Sequence, residues 1–416
     1  MTTIKGLNVH SEIGQLKRVM VHRPGKDLVN LRPEDFEKVW IHDAFDLDWA
    51  QKEHDAFTDL LRGAGAEVLY MEKMLAETMD LVPSARGEFF EKFISEANIA
   101  NPTLEAVVRE KLSSIKDNYE FVLACMGGLY YRDLDIPATS ASLSILDSED
   151  AKPEDLVVYP LPSSYFSRDP LAVVGHGVCL NKMYWPQRNR ETIFYGTILA
   201  NHPDYAGTPV WYNHDSKYHI EGGDILNING KTLAIGISQR TSPEAIDELA
   251  QNMFWGEVPS EIEAIYAIKI PYGYAFMHLD TVFTQVDYDK FTVYPGIFDC
   301  LKVYRLTRGA KPGEIAIEEI DDTLEHILEA ATGVDKVTLL ECGGGDPIEA
   351  SREQWNDGSN TLAVAPGKVL VYERNKVTND LLYKAGVELL VAPSEELSRG
   401  RGGPRCMTMP FERADI

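Results

Sequence analysis

The chain has 416 residues, 44% hydrophobic and 25% charged, the balance of a globular protein rather than a disordered or fibrous one. Its 65 acidic residues outweigh 40 basic ones, for a net charge of -25, which argues against nucleic acid or an anionic membrane surface as partner and leaves a cationic small molecule open. Five cysteines without a Cys-x-x-Cys pair, an N-terminus without an apolar leader, and no run of 18 apolar residues predict a cytoplasmic protein with reduced thiols and no membrane span.

In chain order, residues 15–24 read as a strand that Pro24 ends. A helix follows from about Asp48, with Asp48 and Gln51 at capping-box spacing and Trp49, Phe57, Leu60, Leu61 and Ala64 on one face. Gly63 and Gly65 mark its end, and residues 67–71 form the next strand. Residues 73–150 carry helical patterns and few strand signals, which predicts an all-helical insertion of four or five short helices.

From about residue 156 one unit recurs: a hairpin, a helix, a strand. The first copy has its hairpin at 171–183, its helix at 190–201 and its strand at 208–213. The second has a hairpin at 225–237 around Asn229-Gly230, a type I′ signal, then a helix that Ser242 caps and Pro243 opens, then a strand at 264–270. The third comprises residues 281–295, 322–331 and 336–342, and the fourth 361–375, 378–385 and 387–393. The N-terminal strand, helix and strand make a fifth unit, which the segment after Cys406 completes. Five such units predict an α/β ring around a pseudo-symmetry axis, because closure leaves no free sheet edge between units.

The unusual polar residues fall at the joints between these units. Asp169, Glu221, His278, Glu341 and Cys406 are separated by steps of 52, 57, 63 and 65 residues. Equivalent joints of a ring face one axis, so these side chains are expected to converge. Carboxylates around a cavity suit a guanidinium, whose fork of N–H groups pairs with them bidentately. A cysteine there can add to the central carbon, and a histidine can protonate a leaving amine. One histidine among several acids is a poor zinc set, so no metal is expected. Cys406 follows Arg405 in a loop of three glycines and three arginines between Ser398 and Cys406, and a neighbouring cation favours the thiolate.

These joints, with HSEIGQLKRVMVHRPGK (10–26), AQKEHDAF (50–57), FSRDP (166–170), HIEGGD (219–224), AIGISQRT (234–241), FMHLDTVF (276–283), REQWNDGSNTLA (352–363) and SRGRGGPRCM (398–407), resemble the arginine deiminases of the guanidine-modifying superfamily. The resemblance runs nearly end to end. It implies a five-bladed α/β propeller of ββαβ units at 1–72 and 151–416, interrupted by the helical insertion at 73–150. It implies hydrolysis of L-arginine to L-citrulline and ammonia without a cofactor, in a homo-oligomer, dimer or tetramer.

The same resemblance implies roles. Cys406 is the nucleophile and His278 the general acid and base. Asp169 and Asp280 grip the guanidinium. Glu221, beside Asp224, orients His278 and substrate. Arg188 and Arg240 hold the α-carboxylate, Gly400 and Arg401 belong to a closing loop, and Phe166 lines the pocket. The family usually has Asn at the position of Ser163, a binding position, and Phe-Asp-Asp at Ile41-His42-Asp43; residues 123–140 also depart from its pattern. A relative acting on another guanidine, such as methylated arginine or agmatine, is the second reading, and the paired arginines speak against agmatine. A catalytically silent ligand-binding propeller is the third.

Overall fold

Leu16–Val21 is the strand on which the two ends of the chain meet. It pairs antiparallel with Met409–Arg413 and parallel with Glu67–Tyr70. The computed structural model describes residues 5–41, 43–136, 151–273 and 275–416. His42 and residues 137–150, which the sequence reading places in the departing loop and in the helical insertion, lie outside the described residues.

Four further units repeat this order. Leu171–Val174 pairs antiparallel with Gly177–Leu180, which pairs parallel with Val210–Tyr212. Ile225–Asn229, Thr232–Ile237 and Ala264–Lys269 do the same, as do Phe283–Gln285, Lys290–Val293 and Thr338–Glu341, and then Leu362–Ala365, Lys368–Tyr372 and Glu388–Ala392. A parallel pair needs a long crossover. The helices Leu47–Gly63, Asn189–Asn201, Pro243–Trp255, Leu324–Thr332 and Lys376–Lys384 supply one in each unit. The fold is therefore α/β, as the sequence predicts. The apolar faces of these helices close the cores: Ile246, Leu249, Ala250, Met253 and Phe254 are all buried.

Local sequence signals and the structure agree at most elements, and each difference has a physical cause. Ser242 Oγ caps the helix at Pro243 by accepting from Ala245 N. The first long helix is capped by Asp46, not Asp48: Asp46 Oδ1 accepts from Trp49 N at 2.9 Å, while Gln51 donates to Pro24 O instead. The Asn229-Gly230 hairpin forms, but not as a type I′ turn, which needs two left-handed residues. Asn229, Gly230 and Lys231 have none, and Asn229 Oδ1 accepts from Lys231 N instead. An unexpected hairpin, Lys302–Arg308 and Ile315–Ile320, extends the sheet of the second repeat to five strands. Its outer strand is mostly exposed and carries Glu318 and Glu319, the charge of a protected edge, so it has little apolar alternation to read.

The helical segment begins at Met71, not 73, and its described part holds Met71–Leu81, Pro83–Ser95, Pro102–Ser114 and Asn118–Gly127. It shares one core with the first repeat. Phe89 meets Phe194 edge-on at 4.9 Å, and Phe93, Phe121, Leu171, Met409 and Phe411 join the same buried cluster.

Candidate active site

Short irregular segments lead into the first strand of each hairpin, and the candidate residues sit on them. Asp169 precedes Leu171–Val174; Glu221 and the turn Gly222–Asp224 precede Ile225–Asn229; His278 and Leu279–Thr281 precede Phe283–Gln285; Cys406 precedes Met409–Arg413. In the fourth repeat the expectation fails. Glu341 ends the strand Thr338–Glu341, and an unpredicted helix, Pro347–Trp355, separates it from the next hairpin. The residue at that hairpin's entrance is Asn360, which is fully buried against Cys406.

One cavity is lined by Trp40, Ser163, Phe166, Asp169, Arg188, Arg240, Met277, His278, Gly400, Arg401 and Cys406. Three predicted residues do not line it: Asp280, Asp224 and Glu221, which stands behind His278. Asp280 is fully buried behind Cys406, its Oδ2 at 3.7 Å from Sγ. Asp224 is a structural clamp: it accepts from Ser238 Oγ, Thr241 Oγ1 and Leu279 N, which fixes the turn that carries His278. Burial pushes Asp224 up to about 6 despite these donors.

His278 lies between acids. Nε2 is 2.7 Å from Glu221 Oε2 and Nδ1 is 3.7 Å from Asp169 Oδ1. Burial pulls the imidazole pKa down, but Asp169, Glu221 and Asp224 outweigh it and hold the ring protonated up to about 9. Glu221 also takes Arg240 Nη1 at 3.2 Å and Tyr184 N at 3.0 Å. Arg240, His278 and Arg188 overcome its burial and hold it well below the usual carboxylate range.

Cys406 is 4% exposed. Burial pushes its thiol well up, with Asp280, Asp169 and Asp357 adding to the effect and Arg405 opposing it. The free protein therefore holds a thiol, and burial outranks the neighbouring charges as the cause. Arg405 does lie beside it, as the sequence suggests, but is committed elsewhere: Nη1 is 2.7 Å from Asp280 Oδ2, and Nε and Nη2 reach Glu12 at 3.0 and 3.2 Å. These pairs hold Glu12 down at about 2, although burial opposes them.

Three buried carboxylate oxygens, Asp169 Oδ1, Asp280 Oδ1 and Asp357 Oδ2, have no hydrogen-bond partner. Each costs about 1–3 kcal/mol, which a ligand carrying N–H groups would recover. Asp169, Glu221 and His278 offer ligand atoms within 4.8 Å of one another. Arg188 and Arg240 already neutralise both acids and the imidazole is held protonated, so a dication would have to displace positive charge.

Arg188 is buried, gripping Glu191 with two bonds of 3.0 and 2.9 Å and Asp169 with one of 3.0 Å. Arg240 lies over the rings of Tyr184 and Trp185, and Trp185 stacks on Trp40. Arg401, at φ +64°, lies over Trp355, 3.4 Å from its centroid. Beside it the loop presses so closely on Phe166 that a side chain at Gly402 would enter the ring.

Sequence reasoning missed Trp40, Met277, Asn360, Glu12 and Arg168. Met277 and Asn360 stand inside motifs quoted for the resemblance, and Trp40 adjoins the departing loop. Glu12 and Arg168, which donates to Arg405 O, also stand inside quoted motifs (10–26 and 166–170), but their partner Arg405 is remote along the chain.

A solved structure of an amidinotransferase of the saxitoxin biosynthetic pathway, from Microseira wollei, superposes with TM-score 0.54 over 99% of this chain and 98% of its own at 14% identity. At that identity the likeness defines the class by fold alone: an α/β architecture shared with an amidinotransferase. Sequence carries the assignment further. A family model described as arginine deiminase matches residues 38–413. The arginine deiminase of Treponema denticola is 50% identical over 412 residues, and that of Clostridium perfringens 47% identical over 416, each covering 99% of both chains. The chain belongs to the arginine deiminase family.

Proposed function

We propose that this protein hydrolyses L-arginine to L-citrulline and ammonia through a covalent adduct on Cys406. The observation that carries the reading is the buried thiol of Cys406 in one cavity with protonated His278 and the Asp169 oxygen that has no hydrogen-bond partner. Asp169 and Asp280 take the guanidinium, and Arg188, Arg240 and Arg401 take the carboxylate end, with Ser163, Phe166 and Gly400 shaping the walls. Glu221 holds His278 protonated.

Binding the cation lets the thiol release its proton to solvent. The sulfur adds to the guanidinium carbon; His278 gives its proton to the departing nitrogen, and ammonia leaves an S-alkylthiouronium. Neutral His278 then takes a proton from water as the oxygen adds to the same carbon. Collapse breaks the carbon–sulfur bond, citrulline forms, and the sulfur regains a proton. No cofactor enters this balance. The free space is about 30 Å³, room for about one water, so lining side chains must shift to admit arginine.

The five units close as a five-bladed propeller over 1–72 and 151–416, with 73–150 as a helical insertion. In support, the hairpin entrances of all five units meet around this site. The protein acts in the cytoplasm as a homo-oligomer; among the described residues no helix is long and apolar enough to cross a membrane. Ammonia-release assays with L-arginine and agmatine, with citrulline identified as the product from arginine, test the reading. Arginine is turned over, agmatine far more slowly, and Cys406→Ser folds but produces none. Citrulline from that variant, or none from the native protein, overturns it.

A further inference from the structure

Asn360 makes four hydrogen bonds around the nucleophile. Its Oδ1 accepts from Arg405 N and Cys406 N, each at 3.1 Å, and its Nδ2 donates to Asp280 O at 3.1 Å and to Cys406 Sγ at 3.2 Å. The orientation of the amide follows from its neighbours. Two backbone N–H groups need an acceptor and the Asp280 carbonyl needs a donor, so the opposite flip would set donors against donors. An N–H therefore faces the sulfur.

The residue is held rigidly. Its neighbour Ser359 O accepts from Thr284 Oγ1 at 2.7 Å and Thr292 Oγ1 at 3.2 Å, and Thr361 Oγ1 lies 2.8 Å from Thr284 Oγ1. The loop leading to Cys406 wraps directly over it: a side chain at Gly403 would strike Asn360. We propose that Asn360 is a further catalytic residue, whose amide N–H stabilises the Cys406 thiolate as it forms. The proposal rests on Cys406 being the nucleophile.

The reason for such a donor lies in what else faces the sulfur. Asp280, Asp169 and Asp357 oppose a negative charge there, and burial opposes it further; Arg405 favours it but is divided between Asp280 and Glu12. His278 shares the cavity and spends its Nε2 on Glu221. Among the described residues, Asn360 is the one side chain that donates a hydrogen bond to Sγ. A hydrogen bond to an ionised acceptor is about twice as strong as one to a neutral acceptor, so this contact favours the thiolate over the thiol.

The test is iodoacetamide alkylation of the full-length protein across pH, read at Cys406 by mass spectrometry, with half-exposed Cys300 as internal reference. It is paired with kcat and KM for arginine. Asn360→Ala should raise the pH midpoint of Cys406 by about one unit and lower kcat ~10-fold or more, leaving KM within about threefold. Asn360→Asp keeps the acceptor for the two backbone N–H groups, loses the donors and sets a negative charge beside the sulfur, so its midpoint should rise further than that of Asn360→Ala. A residue that only braces the loop would leave the midpoint of the folded Asn360→Ala variant unmoved. Should Asn360→Ala fail to fold, Asn360→Ser reads the same midpoint. An unmoved midpoint in the folded variants overturns the proposal. Citrulline production by Cys406→Ser would instead overturn the nucleophile assignment, a separate result.

Discussion

Arg188 Nη1 lies 3.0 Å from Asp169 Oδ2, so in the free protein one of its own guanidinium groups occupies an oxygen of the carboxylate proposed to grip the substrate. The other oxygen, Oδ1, has no hydrogen-bond partner and lies 3.7 Å from His278 Nδ1. Arg188 is also 3.9 Å from Glu221 and bonded to Glu191, so it touches three buried acids, of which Glu221 is paired with Arg240 and His278 as well.

Removing that cation should cost stability before it costs chemistry. Arg188→Met leaves the acids without their shared partner, and breaking a buried pair from one side costs about 3–5 kcal/mol. Urea unfolding should report a loss of that size, and KM for arginine should rise ~10-fold or more as the carboxylate end loses a partner. Unchanged stability would mean that the acids are neutralised some other way.

The pH dependence follows from His278. Its folded value of about 9 stands above the ordinary 6.5, so the acid form survives through neutrality. The stability that this raised value contributes is fully present below 6.5 and is lost as pH rises through about 9. For catalysis, kcat/KM should fall above about pH 9 as the proton donor is lost, and this limb belongs to the free enzyme. Glu221→Gln removes one of the charges that hold the proton, so the limb should move toward neutral pH. A rate plateau extending beyond pH 10 would exclude protonated His278 as the required acid.

Ser163 lines the cavity where the family usually carries Asn. Ser163→Asn supplies an amide to the bound amino acid at a distance from bond-making. KM for arginine should fall several-fold with kcat within about twofold. A large change in kcat at constant KM, measured on the same substrate series, would reassign the residue to the chemistry.

The repeat was legible because it is written in local periods. The short apolar run of Thr232–Ile237, the face of Pro243–Trp255 and the Ser242-Pro243 start all show within a dozen residues. So does the incompleteness of the N-terminal unit, whose missing strand is Met409–Arg413. The fourth joint is not legible, because Glu341-Cys-Gly-Gly-Gly-Asp346 looks like its counterpart at Glu221-Gly-Gly-Asp224 while an inserted helix shifts the true entrance to Asn360.

The sequence by itself determined the units, their order and the residue types available to the site: one thiol, one histidine and a set of acids and arginines near the hairpin entrances. Only the tertiary structure decided which of these touch. Arg405 meets Glu12 across 393 positions, Cys406 meets Asp280 across 126, and Asn360 reaches Cys406 from another unit. Whether Arg405 serves the sulfur or the carboxylates, and whether Cys406 rests as thiol or thiolate, depends on burial and on charges brought together by folding. Those quantities have no local period, because desolvation and Coulomb energy depend on distance in space and not on distance along the chain.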